Sequence, residues 1–241
     1  IKGLDAFDGR NHTAVTLGKF DGLHRGHQKL LNRIMKYAQK EDCDSVVCAF
    51  DMDRDCLMTN EERRAFLEDK VDYLIEIPFT REMMEMEAEK FIDEILHKKL
   101  HASHIVVGTD FNFGHEKRGN HQMLEKYAAK YGYTVDVVEK AYYKDREISS
   151  TYIRELLLDG NVPLANELLG YPYEITSVVE HGQQLGRTLG FPTMNLAPQE
   201  KKILPKYGVY ACRVLVDGVW YGGVGNAGVK PVSYTHLRAH E

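Results

Sequence analysis

From Thr13 to about Val138 the chain alternates two kinds of hydrophobic pattern. Short apolar runs rich in β-branched residues fall at Thr13–Leu17, Ser45–Phe50, Val71–Ile77, His104–Val107 and Thr134–Val138. Such runs, apolar on both sides, are what buried parallel strands require. Helical spacing of apolar residues fills the gaps at Gly26–Lys40, Asn60–Asp69, Thr80–Leu100 and Asn120–Tyr131. Thr59 or Asn60 is expected to cap the second helix, and Gly132 to end the fourth in a left-handed turn. In Thr80–Leu100 an amphipathic reading turns Met84, Phe91, Ile92 and Ile95 inward. Strands alternating with helices predict a doubly wound, Rossmann-like α/β domain, whose ligands bind beyond the carboxyl ends of the strands. After Asn161 the pattern changes. Tyr173–Glu180, Gly208–Val216 and Val219–Val224 read as strands separated by Gly-, Pro- and Asp-containing turns. They predict a small antiparallel β-barrel.

Charge sharpens the division. Residues 1–167 carry 24 Lys and Arg against 31 Asp and Glu, whereas residues 168–241 carry 7 against 5. A boundary between domains 1–167 and 168–241 follows. The 241 residues are 43% hydrophobic, enough for two modest cores, and the net charge of −5 argues against a nucleic-acid partner. No apolar run reaches membrane-spanning length, and no signal peptide is visible, although the first residue is Ile1 rather than Met. A cytoplasmic location is expected. Cys43, Cys48, Cys56 and Cys212 form no C-x-x-C pair and are expected to be free thiols. His97, His101 and His104 have metal-like spacing, but His104 is expected simply to begin a strand.

Chemistry concentrates where the first strand meets its helix, in Gly18-Lys-Phe-Asp-Gly-Leu-His-Arg-Gly-His27. Gly18 and Gly22 allow a tight turn and close approach of a ligand, and the following helix start offers N–H groups to a phosphate. His24 and His27, three apart, share a helix face and can donate to phosphate oxygens. Far downstream, Ile148-Ser-Ser-Thr-Tyr-Ile-Arg154 places hydroxyls and a guanidinium at another helix start, with Ser149 or Ser150 as a plausible cap and Arg154 expected in the first turn.

Together, G-x-F-D-G-x-H-x-G-H and I-S-S-T-x-I-R resemble the H-x-G-H nucleotidyltransferase superfamily. The resemblance implies that His24 and His27 contact ATP phosphates while Ser150, Thr151 and Arg154 hold the leaving pyrophosphate. Gly18, Phe20, Asp21 and Gly22 would line the same site. Two further stretches narrow the acceptor. Val106–Asn120 is similar to the V-V-G-x-D-F-x-F-G segment of prokaryotic FAD synthetases, implying that Gly108, Asp110 and Phe111 border the nucleotide and flavin pocket; Phe113 could be core alone. Gly186–Asn195, GRTLGFPTMN, resembles the riboflavin kinase signature, implying that Gly186 and Arg187 bind nucleotide and that Thr193 and Asn195 hold Mg2+ with ATP.

The chain therefore looks like the bifunctional riboflavin kinase/FAD synthetase family from Thr13 to Pro231. Small-molecule partners ATP, FMN and riboflavin follow, with Mg2+ as cofactor; oligomeric state is left open. Phe50-Asp51 fits the family's F-D-P-H-P segment, but Met52-Asp53-Arg54 does not. Residues 232–241 are expected to fall outside the family pattern, and the kinase domain to be truncated and inactive. Alternatives are another H-x-G-H transferase, acting on a cytidylyl or pantetheine-phosphate substrate, or a non-catalytic flavin- or nucleotide-binding fragment.

Overall fold

The computed structural model describes residues 1–51, 54–180 and 193–228. Its centre is a five-stranded parallel sheet made of β1 (His12–Gly18), β2 (Cys43–Asp51), β3 (Tyr73–Pro78), β4 (Ala102–Gly108) and β5 (Thr134–Val138), in the order β3-β2-β1-β4-β5. All four pairings are parallel, and β1 lies between β2 and β4. The strand order reverses beside β1, which is where such a sheet opens a crevice for ligands.

Strand alternation sends side chains to both faces. Val15, Val46, Ile75, Ile105 and Val107 pack with Phe91, Ile92, Leu96 and Leu124 on one face. Ala14, Val47, Ala49 and Val106 pack with Leu30, Leu31 and Ile34 of helix α1 (Arg25–Lys40) on the other. Helix α2 (Asn60–Leu67) begins with a full capping box: Glu62 N–H donates to the Thr59 hydroxyl, and the Glu62 carboxylate accepts from Thr59 N–H. Helix α3 (His121–Tyr131) ends at Gly132 in the left-handed conformation.

The stretch Thr80–Leu100 is not one helix. Arg81–Glu85 and Ala88–Lys90 are short helical pieces broken at extended Met86 and Glu87, and Phe91–Lys99 is wound in π geometry, with Leu100 N–H reaching Ile95 C=O. The break rotates the first piece, so Met84 is exposed while Met83 packs against the core. Phe91 and Ile92 are buried as expected, and Ile95 is half-buried.

A third core joins helices α4 (Ser150–Asp159) and α5 (Val162–Leu169) through Ile153, Leu157, Ala165, Leu168 and Leu169, with Leu57 and Ile203. Beyond it, a nine-residue antiparallel hairpin pairs β6 (Gly208–Val216) with β7 (Val219–Ala227). Of the expected strand Tyr173–Glu180, only Val179–Glu180 pairs, with Asn195–Leu196. The architecture is thus a doubly wound parallel-sheet domain followed by antiparallel strands of the barrel-like kind.

Candidate active site

The loop after β1 is held in an unusual backbone. Phe20, Gly22 and Leu23 all have positive φ, at 47°, 79° and 36°. For Phe20 and Leu23 this costs conformational energy, which tight surroundings must sustain. Both side chains are fully buried in the second core. A Cβ at Gly22 would stand 2.9 Å from Leu57 Cδ1, so neither the φ nor the space admits a larger residue.

The loop delivers His24 and His27 to the start of α1, where the rings stack at 3.7 Å between centroids, 22° apart. Gly26 makes the stack possible: a Cβ there would approach the His24 ring to 3.1 Å. Phe20 meets His27 edge-on at 5.2 Å. His24 is only 6% exposed. Burial pushes its pKa down to about 4, and burial together with the neighbouring His24 holds His27 well below the ordinary range. Both rings are therefore neutral at pH 7. Their buried Nδ1 atoms have no partner among the described residues, and α1 starts with no side-chain cap and no acid in its first turn. Unpaired imidazole nitrogens at an open helix start suit the oxygens of a phosphate.

Neutral burial has a thermodynamic consequence. His24 titrates lower in the folded chain than in the unfolded one, so its contribution to stability is full above about pH 6.5 and is lost as pH falls toward 4. The expected loss is about 3 kcal/mol. Denaturant unfolding of the wild type and of His24→Gln between pH 7 and 4 checks this: the variant should lose less over that window.

Asp21 ties the distant motif to this loop. Its Oδ1 accepts from Leu57 N–H at 2.7 Å and Met58 N–H at 3.3 Å, while its Oδ2 accepts from Arg154 at 2.9 Å. Its backbone C=O accepts from the Ser150 hydroxyl at 2.8 Å. Burial pushes the Asp21 carboxyl up, opposed first by the Leu57 N–H and then by the Arg154 guanidinium. Ser149, not Ser150, caps α4, accepting from Tyr152 N–H. Arg154 is the fifth residue of α4 and so opens its second turn rather than lying in the first; Thr151 is exposed. The histidine signature and the Ser-Arg segment thus meet, as their chemistry predicts.

A cleft of about 220 Å³ lies at the carboxyl ends of β1 and β2. Lys19 and Asp21 share it with Asp51, Arg54, Arg63 and Met58, while the two histidines lie outside its lining. Arg63 is 4% exposed and bonds Asp51 at 3.0 Å, Asn60 Oδ1 at 2.7 Å and Lys19 C=O at 3.4 Å. It thereby fixes Asp51 of the Phe50-Asp51 segment. By sequence position alone Arg63 is one of two adjacent arginines in α2, with nothing to set it apart from Arg64. The fold sets it apart: it stands four residues before buried Leu67, on the inner face of α2.

The other expected residues divide. Gly108 ends β4 at the same edge of the sheet, and Phe111 N–H bonds its carbonyl at 3.1 Å. A Cβ at Gly108 would press on Asp110 Oδ1 at 3.2 Å. Asp110 is exposed and paired with Lys140 at 3.0 Å. Phe113 belongs to the core, stacked with Phe111. Asn195 lies opposite Glu180, and Thr193 is exposed. Gly186 and Arg187 lie outside the described residues, as do Met52 and Asp53. His104 does not begin its strand but is the third residue of β4, where its ring bonds Glu41 and Thr134, each at 2.7 Å, and stacks on Tyr37. All four cysteines are free.

A doubly wound sheet with an open helix start, paired neutral imidazoles and an arginine at one strand end defines a nucleotide-binding transferase domain. The FAD synthetase family model matches residues 8–152, and the riboflavin kinase family model matches residues 169–241. Relatives named bifunctional riboflavin kinase/FMN adenylyltransferase are 35% identical in Buchnera aphidicola of Schizaphis graminum, over 95% of this chain and 77% of the relative, and 35% identical in Escherichia coli K12, over 90% and 73%. The Haemophilus influenzae relative is 36% identical over 90% and 74%. A crystal structure of a protein named macrolide-efflux protein, from Streptococcus pneumoniae, aligns with a TM-score of 0.86 and 31% identity, covering 97% of this chain and 79% of that one. The chain belongs to the bifunctional riboflavin kinase/FMN adenylyltransferase family. No helix among the described residues is long and apolar enough to cross a membrane.

Proposed function

We propose that residues 1–167 transfer AMP from ATP to FMN, giving FAD and pyrophosphate, and that residues 168–241 form the domain related to riboflavin kinase. The observation that carries the first assignment is the meeting of the histidine loop and the Ser150–Arg154 segment on Asp21, across 133 residues of sequence. An FMN phosphate oxygen attacks the α-phosphorus of ATP; the new P–O bond forms as the bond to the β-phosphate bridging oxygen breaks. Charge grows on the α-phosphate oxygens and on the leaving pyrophosphate. His24 and His27, neutral and pre-stacked, donate ring N–H groups to the former, while the start of α1 faces the same charge. Arg154, Ser150 and Thr151 bind the pyrophosphate. No side chain forms a covalent intermediate, since positioning and charge stabilisation are sufficient for phosphoryl-type transfer.

On the kinase-related side, Thr193 and Asn195 offer a hydroxyl and an amide oxygen, donors that suit Mg2+ completed by phosphate and water. Bound there, Mg2+ would neutralise phosphate charge. Gly186 and Arg187 are assigned to nucleotide binding in the same domain, and a cytoplasmic location suits both reactions.

The test is incubation of the chain with ATP, Mg2+ and FMN, followed by chromatography for FAD. FAD and pyrophosphate in equal amounts are expected. ATP binding without FAD would redirect the site to another phosphate acceptor.

A further inference from the structure

The cleft beside the histidine loop is not built by the FAD-synthetase-matched residues alone. Gln199, Glu200 and Lys201, all within the segment that matches riboflavin kinase, line one wall. The same segment is bolted to the loop before α2. Cys56 N–H donates to Lys201 C=O at 2.8 Å, and Ile203 N–H donates to Cys56 C=O at 3.0 Å. Between these two bonds, Lys202 points inward and is 8% exposed. Its ammonium donates to Leu57 C=O at 2.7 Å and to Glu62 Oε2 at 2.5 Å, and lies 4.5 Å from the Tyr173 ring.

Leu57 is therefore held from both ends. Its N–H belongs to Asp21 of the histidine loop, and its C=O belongs to Lys202 of the kinase-matched segment. Glu62 closes the circuit, because the oxygen that takes Lys202 also takes Thr59 N–H at the α2 cap. A buried ammonium is costly unless paired and fully bonded, and here the pairing is spent on one short loop.

We infer that Lys202 is a positioning residue for the adenylyl-transfer site, through which the kinase-matched segment sets the alignment of Asp21 and Arg154 beside the histidine loop. This rests on the function proposed above. Lys202 touches no reacting atom; it fixes the Leu57–Met58 peptides against which Asp21, and through it Arg154, is aligned.

The experiment compares the full chain with Lys202→Met, Lys202→Arg and the double variant Lys202→Met/Glu62→Gln. Lys202→Met is expected to raise the KM for ATP about tenfold, as loss of a charge-assisted bond implies, with kcat within about threefold. Amide exchange across residues 54–59 should quicken in the same variant. Lys202→Arg should recover part of both. If Lys202→Met does not fold, the double variant removes both buried charges at nearly constant volume and should show the same KM rise. A lowered Tm with unchanged KM and unchanged exchange at residues 54–59 would overturn the inference, leaving Lys202 a structural pin. Should the wild type make no FAD, the proposed function fails instead, and exchange at residues 54–59 still decides whether Lys202 holds the loop.

Discussion

Replacing His27 with Ala should lower kcat for FAD formation by roughly 10²- to 10³-fold, the usual cost of deleting a preorganised donor to developing charge. The structure places His27 behind His24, stacked at 3.7 Å and backed by Phe20 at 5.2 Å, so its ring has little freedom to lose. His27→Asn should recover part of the rate, because a neutral N–H donor is what the site uses. The pH profile of kcat should show no histidine titration between 6 and 8, since burial holds His24 at about 4 and His27 well below 6.5. Initial rates of pyrophosphate release, with FAD quantified by chromatography, measure both. A loss below tenfold would remove His27 from the reaction.

The second large effect belongs to Asp21. Asp21→Ala strands two buried N–H groups, of Leu57 and Met58, and leaves Arg154 without its carboxylate. A destabilisation of about 3–5 kcal/mol is expected, because breaking a buried charge pair from one side costs that much. FAD formation should fall to background even at temperatures where the variant stays folded. Asp21→Asn should fold better than the Ala variant, since its amide oxygen still accepts from Leu57, but its NH₂ opposes Arg154 donor to donor. Urea unfolding together with steady-state rates separates the two losses. Wild-type stability in Asp21→Ala would show that the Arg154 contact carries no weight.

Much of this fold is legible in the sequence. The five sheet strands begin and end within about two residues of their apolar runs, because buried parallel strands are marked along their whole length. The Thr59 cap and the Gly132 stop were visible because each has a local chemical cause. Thr80–Leu100 misled because helical periodicity continues through Met86 and Glu87 even though the backbone there is extended. The candidate site was half legible. His24 and His27 announce themselves by spacing, but the work of Asp21 depends on Leu57, Met58 and Arg154, partners that only the fold assembles. Lys202 carried no signal at all: a lysine in KKILPK reads as a solvated turn, and its burial depends on Glu62, 140 residues earlier.

The contacts of Asp21 also impose an order on biosynthesis. Ribosomes deliver chain from the N-terminus, and domains fold as their parts arrive. The histidine loop emerges early, yet Leu57 follows it by 36 residues and Arg154 by 133. Until α4 leaves the exit tunnel, the loop lacks the bonds that Ser150 and Arg154 make to Asp21. The histidine loop, though made early, is therefore among the last parts of the domain to gain all of its hydrogen bonds.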